Sequence, residues 1–300
     1  MSVVIAQGPG ISGEFAKVLA DRIHAERRMP LAATAWCLEG GNLDDEARAW
    51  CAGNQVDVAQ LVTRRPLSGY RVLAMDMDST LIAIECIDEL AALAGVGPKV
   101  AAITAAAMQG GLDFPSALKA RVALLAGLDA GALARVYSER LELSQGAQAL
   151  LDAVRAAGLK TLLVSGGFTY FTGRLSSDLS LDHALANELE IVGGRLTGRV
   201  HGPIVDADAK AERLAVVCRD LGCTTRDAIV IGDGANDLKM MALAGLSVAF
   251  RAKPLVQRQA DAALNFSGLD GVLHLVGAAP LRPENVRLPL PRDHSVPGLP

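Results

Sequence analysis

YRVLAMDMDST, residues 70–80, decides the fold. Five of the six residues Tyr70–Met75 are apolar, and the run stops abruptly at Asp76. That is the pattern of a short strand buried on both faces of a parallel sheet. Similar runs recur downstream. Lys160 to Val164 ends in Ser165-Gly166-Gly167, and Ala228 to Ile231 ends in Gly232-Asp233-Gly234. Leu246 to Phe250 ends in Arg251, and Ala262 to Phe266 follows. Helical spacing fills the intervals at about 144–157, 208–221 and 236–244. Strand alternating with helix predicts an α/β fold with a Rossmann-like parallel sheet core. Ligands in such sheets bind beyond the carboxyl ends of the strands, where Asp76, Ser165 and Asp233 collect.

Outward from this core, residues 85–150 interrupt the alternation. They are rich in Ala and Leu, helical in period and without a strand-like run, so a helical cap over the site is expected. The core is then 70–84 with 151–275. Residues 188–201 (ELEIVGGRLTGRVH) predict a hairpin about Gly193-Gly194. Residues 1–69 form a small N-terminal α+β section. Its strands are expected at Val3–Ala6 and Leu31–Leu38, with helices over Phe15–Ile23 and from Asn42 or Asp44 towards Val62. A βαββαβ pattern cannot be closed from these pieces. Arg64-Arg65-Pro66 and Ser68-Gly69 read as a linker. The segment 276–300 is expected to be a proline-rich tail, since the last 21 residues hold six of the 13 prolines.

Composition narrows the function. The 300 residues carry 29 basic and 33 acidic side chains, a net charge of −4, which argues against a nucleic-acid surface or an anionic-membrane patch. Mean hydropathy is +0.29, yet no charge-free run exceeds 13 residues, short of the about 20 that a spanning helix needs. The N-terminus lacks a basic leader before an apolar run, so no signal peptide is expected. Five cysteines without a CxxC pair fit free thiols in a reducing cytoplasm.

Asp76 and Asp78 are two apart, so in extended chain their carboxylates face one spot. Two close carboxylates repel, and a divalent cation relieves the repulsion. The strand end at 232–237 adds Asp233 and Asp237. An oxygen-rich, histidine-free donor set suits Mg²⁺. A carboxylate beside Mg²⁺ can attack phosphorus and form an aspartyl-phosphate. In that chemistry Asp76 is the nucleophile and Asp78 the general acid and base. Ser165 and the Gly166 N–H hold phosphoryl oxygens, and Lys210, near the start of a helix, neutralises developing charge.

These residues resemble the haloacid dehalogenase-type phosphatases. Asp76, Asp78 and Thr80 match their DxDxT motif, Ser165 the second motif, Lys210 the third, and Asp233 with Asp237 the GDxxxD motif. The resemblance covers about 70–270. Within that family the chain is most similar to phosphoserine phosphatases, through DMDSTLIAIECIDEL (76–90) and MQGGLDFPSALKARVAL (108–124). The resemblance implies Mg²⁺-dependent hydrolysis of O-phospho-L-serine, the last step of serine biosynthesis. By the same resemblance Glu85 receives the substrate ammonium and Arg121 its carboxylate, while Met108 and Phe114 line the pocket. Mg²⁺ is then held by Asp76, Asp233 and the Asp78 carbonyl, with Asn236 and Asp237 in support. An arginine suits a carboxylate because it binds bidentately.

Phosphothreonine hydrolysis, or phosphate transfer to homoserine, would use the same catalytic set. A phospho-accepting signalling receiver shares the acidic Mg²⁺ pocket, but it has no second acid two residues after the nucleophile and needs no cap. Related phosphatases often carry an amino-acid-binding regulatory module at the N-terminus. Residues 1–69 permit either that role or a structural or dimerising one, so the oligomeric state stays open, with a homodimer as one outcome.

Overall fold

The computed structural model describes residues 2–108 and 111–277; the side chain of Met108 and most of the expected tail lie outside the described residues. The N-terminal section closes the pattern that the sequence left open. Its order is β1 (Val3–Gln7), α1 (Gly13–Arg22), β2 (Ala25–Ala32), β3 (Ala35–Gly40), α2 (Asp45–Gly53) and β4 (Asp57–Leu61). The strands form an antiparallel sheet in the order β2-β3-β1-β4. Two expectations are corrected here. The strand expected over 31–38 is a hairpin turning at 33–34. The helix expected to reach Val62 stops at Gly53, and Gln55 takes a left-handed backbone (φ +57°) before β4. Ser12 and Asp44 cap the two helices, accepting from the N–H groups of Phe15 and Ala47. Val4, Ala6, Leu19, Ile23 and Leu38 fill the small core between helices and sheet.

The expected linker is tied down. Leu67 is buried, Arg65 pairs with Asp227 at 2.8 Å, and Arg64 donates to the His274 carbonyl at 2.9 Å. The section also docks through Asp57, whose buried carboxylate accepts from the backbone N–H groups of Asn265, Phe266 and Ser267.

The second sheet has seven strands: β5 (Val72–Met75), β6 (Lys160–Phe168), β7 (His183–Val192), β8 (Arg195–His201), β9 (Ala228–Gly232), β10 (Leu246–Phe250) and β11 (Ala262–Leu264). Their order is β11-β10-β9-β5-β6-β7-β8, parallel except for the β7-β8 hairpin. β5 is apolar throughout because both its faces are covered. Leu73 and Met75 join one apolar cluster, while Val72 and Ala74 join the other. From β5 the chain builds β6 on one side and β9 on the other, which opens a crevice at their carboxyl ends.

Helices α3 (Cys86–Leu93), α4 (Gly97–Met108), α5 (Phe114–Ala123) and α6 (Gly131–Glu139) form the insertion after β5. The chain leaves and re-enters the core where Ile82 bridges Leu143 and the Ser144 N–H donates to the Leu81 carbonyl at 2.9 Å. Helix α7 (Ala147–Ala156), which straddles the expected cap limit at 150, lies beyond that crossing and packs on β6. The hairpin holds the insertion from below, pairing Leu196 with the backbone of Gly127 and Leu128. The remaining helices are α8 (Thr169–Leu179), α9 (Ala207–Asp220), α10 (Leu238–Leu243), α11 (Pro254–Gln259) and α12 (Val272–Leu275). None in the described residues is long and apolar enough to cross a membrane. All five cysteines are free.

Candidate active site

Beyond β5 the chain makes one wide turn over 77–81, in which the Ile82 N–H donates to the Met77 carbonyl at 3.0 Å. Asp76 and Asp78 both keep extended backbone angles, and Ser79 turns the chain with a left-handed φ of +56°. Both carboxylates reach the same cavity, as the two-residue spacing predicts, but on different partners. Asp76 Oδ1 accepts from its neighbour's N–H (Met77) and from Lys210 Nζ, each at 2.8 Å. Asp78 Oδ1 accepts from the Cys86 N–H at 2.9 Å, while Oδ2 faces the Ser165 hydroxyl at 3.4 Å. Helix α3 thus aims Asp78 through its first N–H.

Lys210 rises from the first turn of α9, which Asp206 caps. Its side chain is fully buried, and its ammonium also meets Asp237 Oδ1 at 2.8 Å. Asp237 Oδ2 in turn accepts from the Gly234 N–H at 3.1 Å. A Cβ at residue 232 would lie 2.5 Å from Asp237 Cγ, so the GDxxxD loop needs glycine there. Buried Thr80 places its hydroxyl 3.5 Å from Asp233 Oδ1, which joins the two strand ends.

Carboxylate oxygens of Asp76, Asp233 and Asp237 lie within 4.8 Å of one another. Burial drives Asp76 well above the usual carboxylate range; Lys210 opposes this, while Asp237 and Asp233 add to it. Burial, then Asp237, pushes Asp233 up to about 6. Burial pulls the Lys210 ammonium down, but Asp237 and Asp76 outweigh it and hold the group charged. Three crowded carboxylates, only two of them held by one ammonium, are a donor set that a hard divalent cation completes, and Mg²⁺ fits its all-oxygen chemistry. The Asp78 carboxylate is not in that trio: it is spent on Cys86 and Ser165. Burial raises it too, against the pull of the Cys86 N–H.

A cavity of about 560 Å³ opens over these groups, within the range that suits small ligands. Asp76, Asp78, Ser165, Gly166, Asp233 and Asn236 form its floor, and Glu85, Phe114 and Arg121 come from the insertion above. Lys210 and Asp237 lie beneath the floor. Ser165 is fully buried, its Oγ accepting from the Gly167 N–H at 2.8 Å. A Cβ on Gly166 would sit 2.7 Å from Phe114 Cζ, so the insertion closes directly onto the loop after β6. Glu85 accepts from the Ser79 hydroxyl at 2.8 Å; the surrounding cavity walls, then Asp78, push its carboxyl up to about 7. Burial lowers Arg121, with Glu85 and Asp88 opposing.

Sequence reading missed Gly167, Asp88 and Lys253, all of which line the cavity. Asp88 lies three residues after Glu85, a spacing that shares one helix face. Lys253 follows the carboxyl end of β10, where the strand-end rule would have found it. A Cβ on Gly167 would strike the Asp78 carboxylate and lie 2.9 Å from Met77 Cε. Gly167→Ala is therefore expected to destabilise by about 1–3 kcal/mol and to displace Asp78. Melting temperature and turnover should fall together; unchanged turnover would show that the Asp78 position tolerates the shift.

The family model of haloacid dehalogenase-like hydrolases matches residues 73–242. A phosphoserine phosphatase of Polaromonas sp. (strain JS666) is 51% identical over 215 residues, covering 70% of this chain and 91% of its own length. The crystal structure of a probable phosphoserine phosphatase from Vibrio cholerae, in unliganded form, superposes with a TM-score of 0.79 at 38% identity, over 93% of this chain and 87% of that one. A substrate-bound phosphoserine phosphatase complex aligns with 68% of this chain and 97% of its own, with a TM-score of 0.65 at 36% identity. The first of these structures spans the N-terminal section as well, and the second is confined to about the catalytic length. The chain belongs to the haloacid dehalogenase-like hydrolases and, among them, to the phosphoserine phosphatases.

Proposed function

We propose that the chain hydrolyses O-phospho-L-serine to L-serine and phosphate through an aspartyl-phosphate on Asp76, in the cytoplasm, as the closing step of serine synthesis. One observation carries this reading: a single cavity has Asp76 and Asp78 in its floor and Glu85 and Arg121 in its roof. A phosphorylated amino acid offers a phosphate to the first pair, and an ammonium and a carboxylate to the second. In this division of labour the core does the chemistry and the helical insertion selects the substrate.

Asp76 attacks phosphorus, forming a P–O bond as the bond to the serine oxygen breaks. Asp78 donates its proton to that leaving oxygen; burial favours the protonated form it needs at the start. Asp78 then takes a proton from the water that attacks the phosphorylated Asp76, and phosphate leaves. Ser165 and the Gly166 N–H hold phosphoryl oxygens, with Asn236 on the same floor. Lys210 anchors Asp76 in place and balances charge building on the phosphoryl group. Asp76 and Asp233 would hold Mg²⁺, with Asp237 beneath them, and when bound the ion supplies charge neutralisation at the phosphate. Phe114, closed against Gly166, keeps water away from the intermediate until serine departs.

The test is phosphate release from a panel including L-phosphoserine and L-phosphothreonine, with homoserine as an added acceptor, in Mg²⁺ and in EDTA. L-Phosphoserine is expected to give the highest kcat/KM, with no turnover in EDTA. A different leading ester, or transfer to homoserine in place of release, would overturn the substrate assignment. Arg121→Ala is expected to raise KM for phosphoserine about 10- to 100-fold, the loss of a charge-assisted bidentate contact, with a smaller change in kcat. A fall in kcat alone would remove Arg121 from substrate binding.

A further inference from the structure

Among the described residues the cavity is lined by five carboxylates, Asp76, Asp78, Glu85, Asp88 and Asp233, but by only two cations, Arg121 and Lys253. The proposed substrate carries its negative charge at two ends, a carboxylate and a phosphate. The two cations are placed at two ends as well. Arg121 stands in the roof beside Glu85 and Asp88. Lys253 stands beside the floor: its backbone N–H donates to the Asp233 carbonyl at 3.2 Å, which ties the end of β10 to the end of β9. Lys210, buried beneath the floor and held by both Asp76 and Asp237, meets the phosphoryl group only once it is seated at Asp76, so the exposed approach falls to another cation.

The backbone of Lys253 is fixed. Arg251 before it takes a left-handed φ of +46°, Pro254 opens α11, and the N–H groups of Val256 and Gln257 donate to the Lys253 carbonyl at 2.9 and 3.1 Å. Its side chain is exposed at the cavity and has no carboxylate partner among the described residues. Lys253 lines the same cavity as Asp233, and its charge opposes the rise of that carboxyl. An uncommitted cation on a fixed backbone, facing an acid-rich cavity, is positioned for an anion.

We propose that Lys253 binds the phosphoryl end of the substrate on its way to Asp76, and the inorganic phosphate on its way out. This rests on the reading of the chain as a phosphoserine phosphatase. It makes Lys253 the counterpart of Arg121, one cation for each anionic end.

The test compares the unaltered chain with Lys253→Gln, Lys253→Arg and Arg121→Ala, measuring inhibition of phosphoserine hydrolysis by inorganic phosphate. Phosphate has no carboxylate, so it reports the floor alone. Lys253→Gln is expected to raise the inhibition constant for phosphate about fivefold to tenfold and to flatten the salt dependence of kcat/KM. Lys253→Arg should restore both to within about twofold, and Arg121→Ala should leave phosphate inhibition nearly unchanged. The exposed side chain predicts an unaltered melting temperature in both Lys253 variants. If Lys253→Gln binds phosphate as tightly as the unaltered chain while that chain turns over phosphoserine, this inference fails alone. If the unaltered chain does not turn over phosphoserine, the underlying reading fails and this inference with it.

Discussion

Lys210→Met is expected to lower the unfolding free energy by about 3–5 kcal/mol, the cost of breaking a buried ion pair from one side. The ammonium sits 2.8 Å from both Asp76 and Asp237, with no solvent exposure. Methionine fills much of the volume and leaves two buried carboxylates facing each other across it. For a chain of this size the melting temperature should drop on the order of 10 °C in metal-free buffer. Mg²⁺ should recover part of the loss, because a cation that binds only the folded state stabilises it by mass action. Adding Asp237→Asn should recover part as well, since it removes one of the orphaned charges; the two substitutions share a partner and should not be additive. A melting temperature unmoved by Lys210→Met would contradict the burial and pairing described for this residue.

Asp76→Asn is expected to behave in the opposite way, with a large loss of activity and little loss of fold. Asparagine has the same shape, and its carbonyl oxygen can still accept from Met77 and Lys210. It also relieves the crowding with Asp233 and Asp237. It cannot attack phosphorus as a carboxylate does. Turnover should fall by about 10⁴-fold or more, as removal of a nucleophile does elsewhere, while the melting temperature changes by only a few degrees. Asp78→Asn should cost less, about 10²- to 10⁴-fold, because a proton transfer is lost and the nucleophile is kept. Equal losses in the two variants, measured in steady-state phosphate release, would argue against the separate roles given to them.

The sheet core was legible because burial on both faces leaves its strands almost wholly apolar. Val72–Met75, Ala228–Gly232 and Leu246–Phe250 are buried throughout, and each apolar run ends within a residue of the observed strand. The acids at those ends were legible for the same reason, since a charge directly after such a run has only the sheet's carboxyl edge to occupy. The N-terminal sheet was not legible, and the cause lies in particular residues. Ala25–Ala32 is an edge strand with five consecutive exposed positions, two of them arginine, and a proline. It shows neither alternation nor an apolar run. Asp57–Leu61 reads as a continuation of the preceding helix; its strand character comes from pairing with β1 and from Asp57 accepting backbone N–H groups more than 200 residues away. The cavity's roof was legible only through family resemblance, because Glu85 and Arg121 look like ordinary helix-surface charges until the insertion folds over the floor.

The most direct measurement of the central claim is acid quenching of the chain during turnover of L-phosphoserine in Mg²⁺, followed by peptide mass spectrometry. The expected result is a phosphoryl group on the peptide that contains Asp76, localised to that residue, present with phosphoserine and absent in Asp76→Asn. Release of phosphate without any such adduct, or an adduct on another residue, would contradict the account.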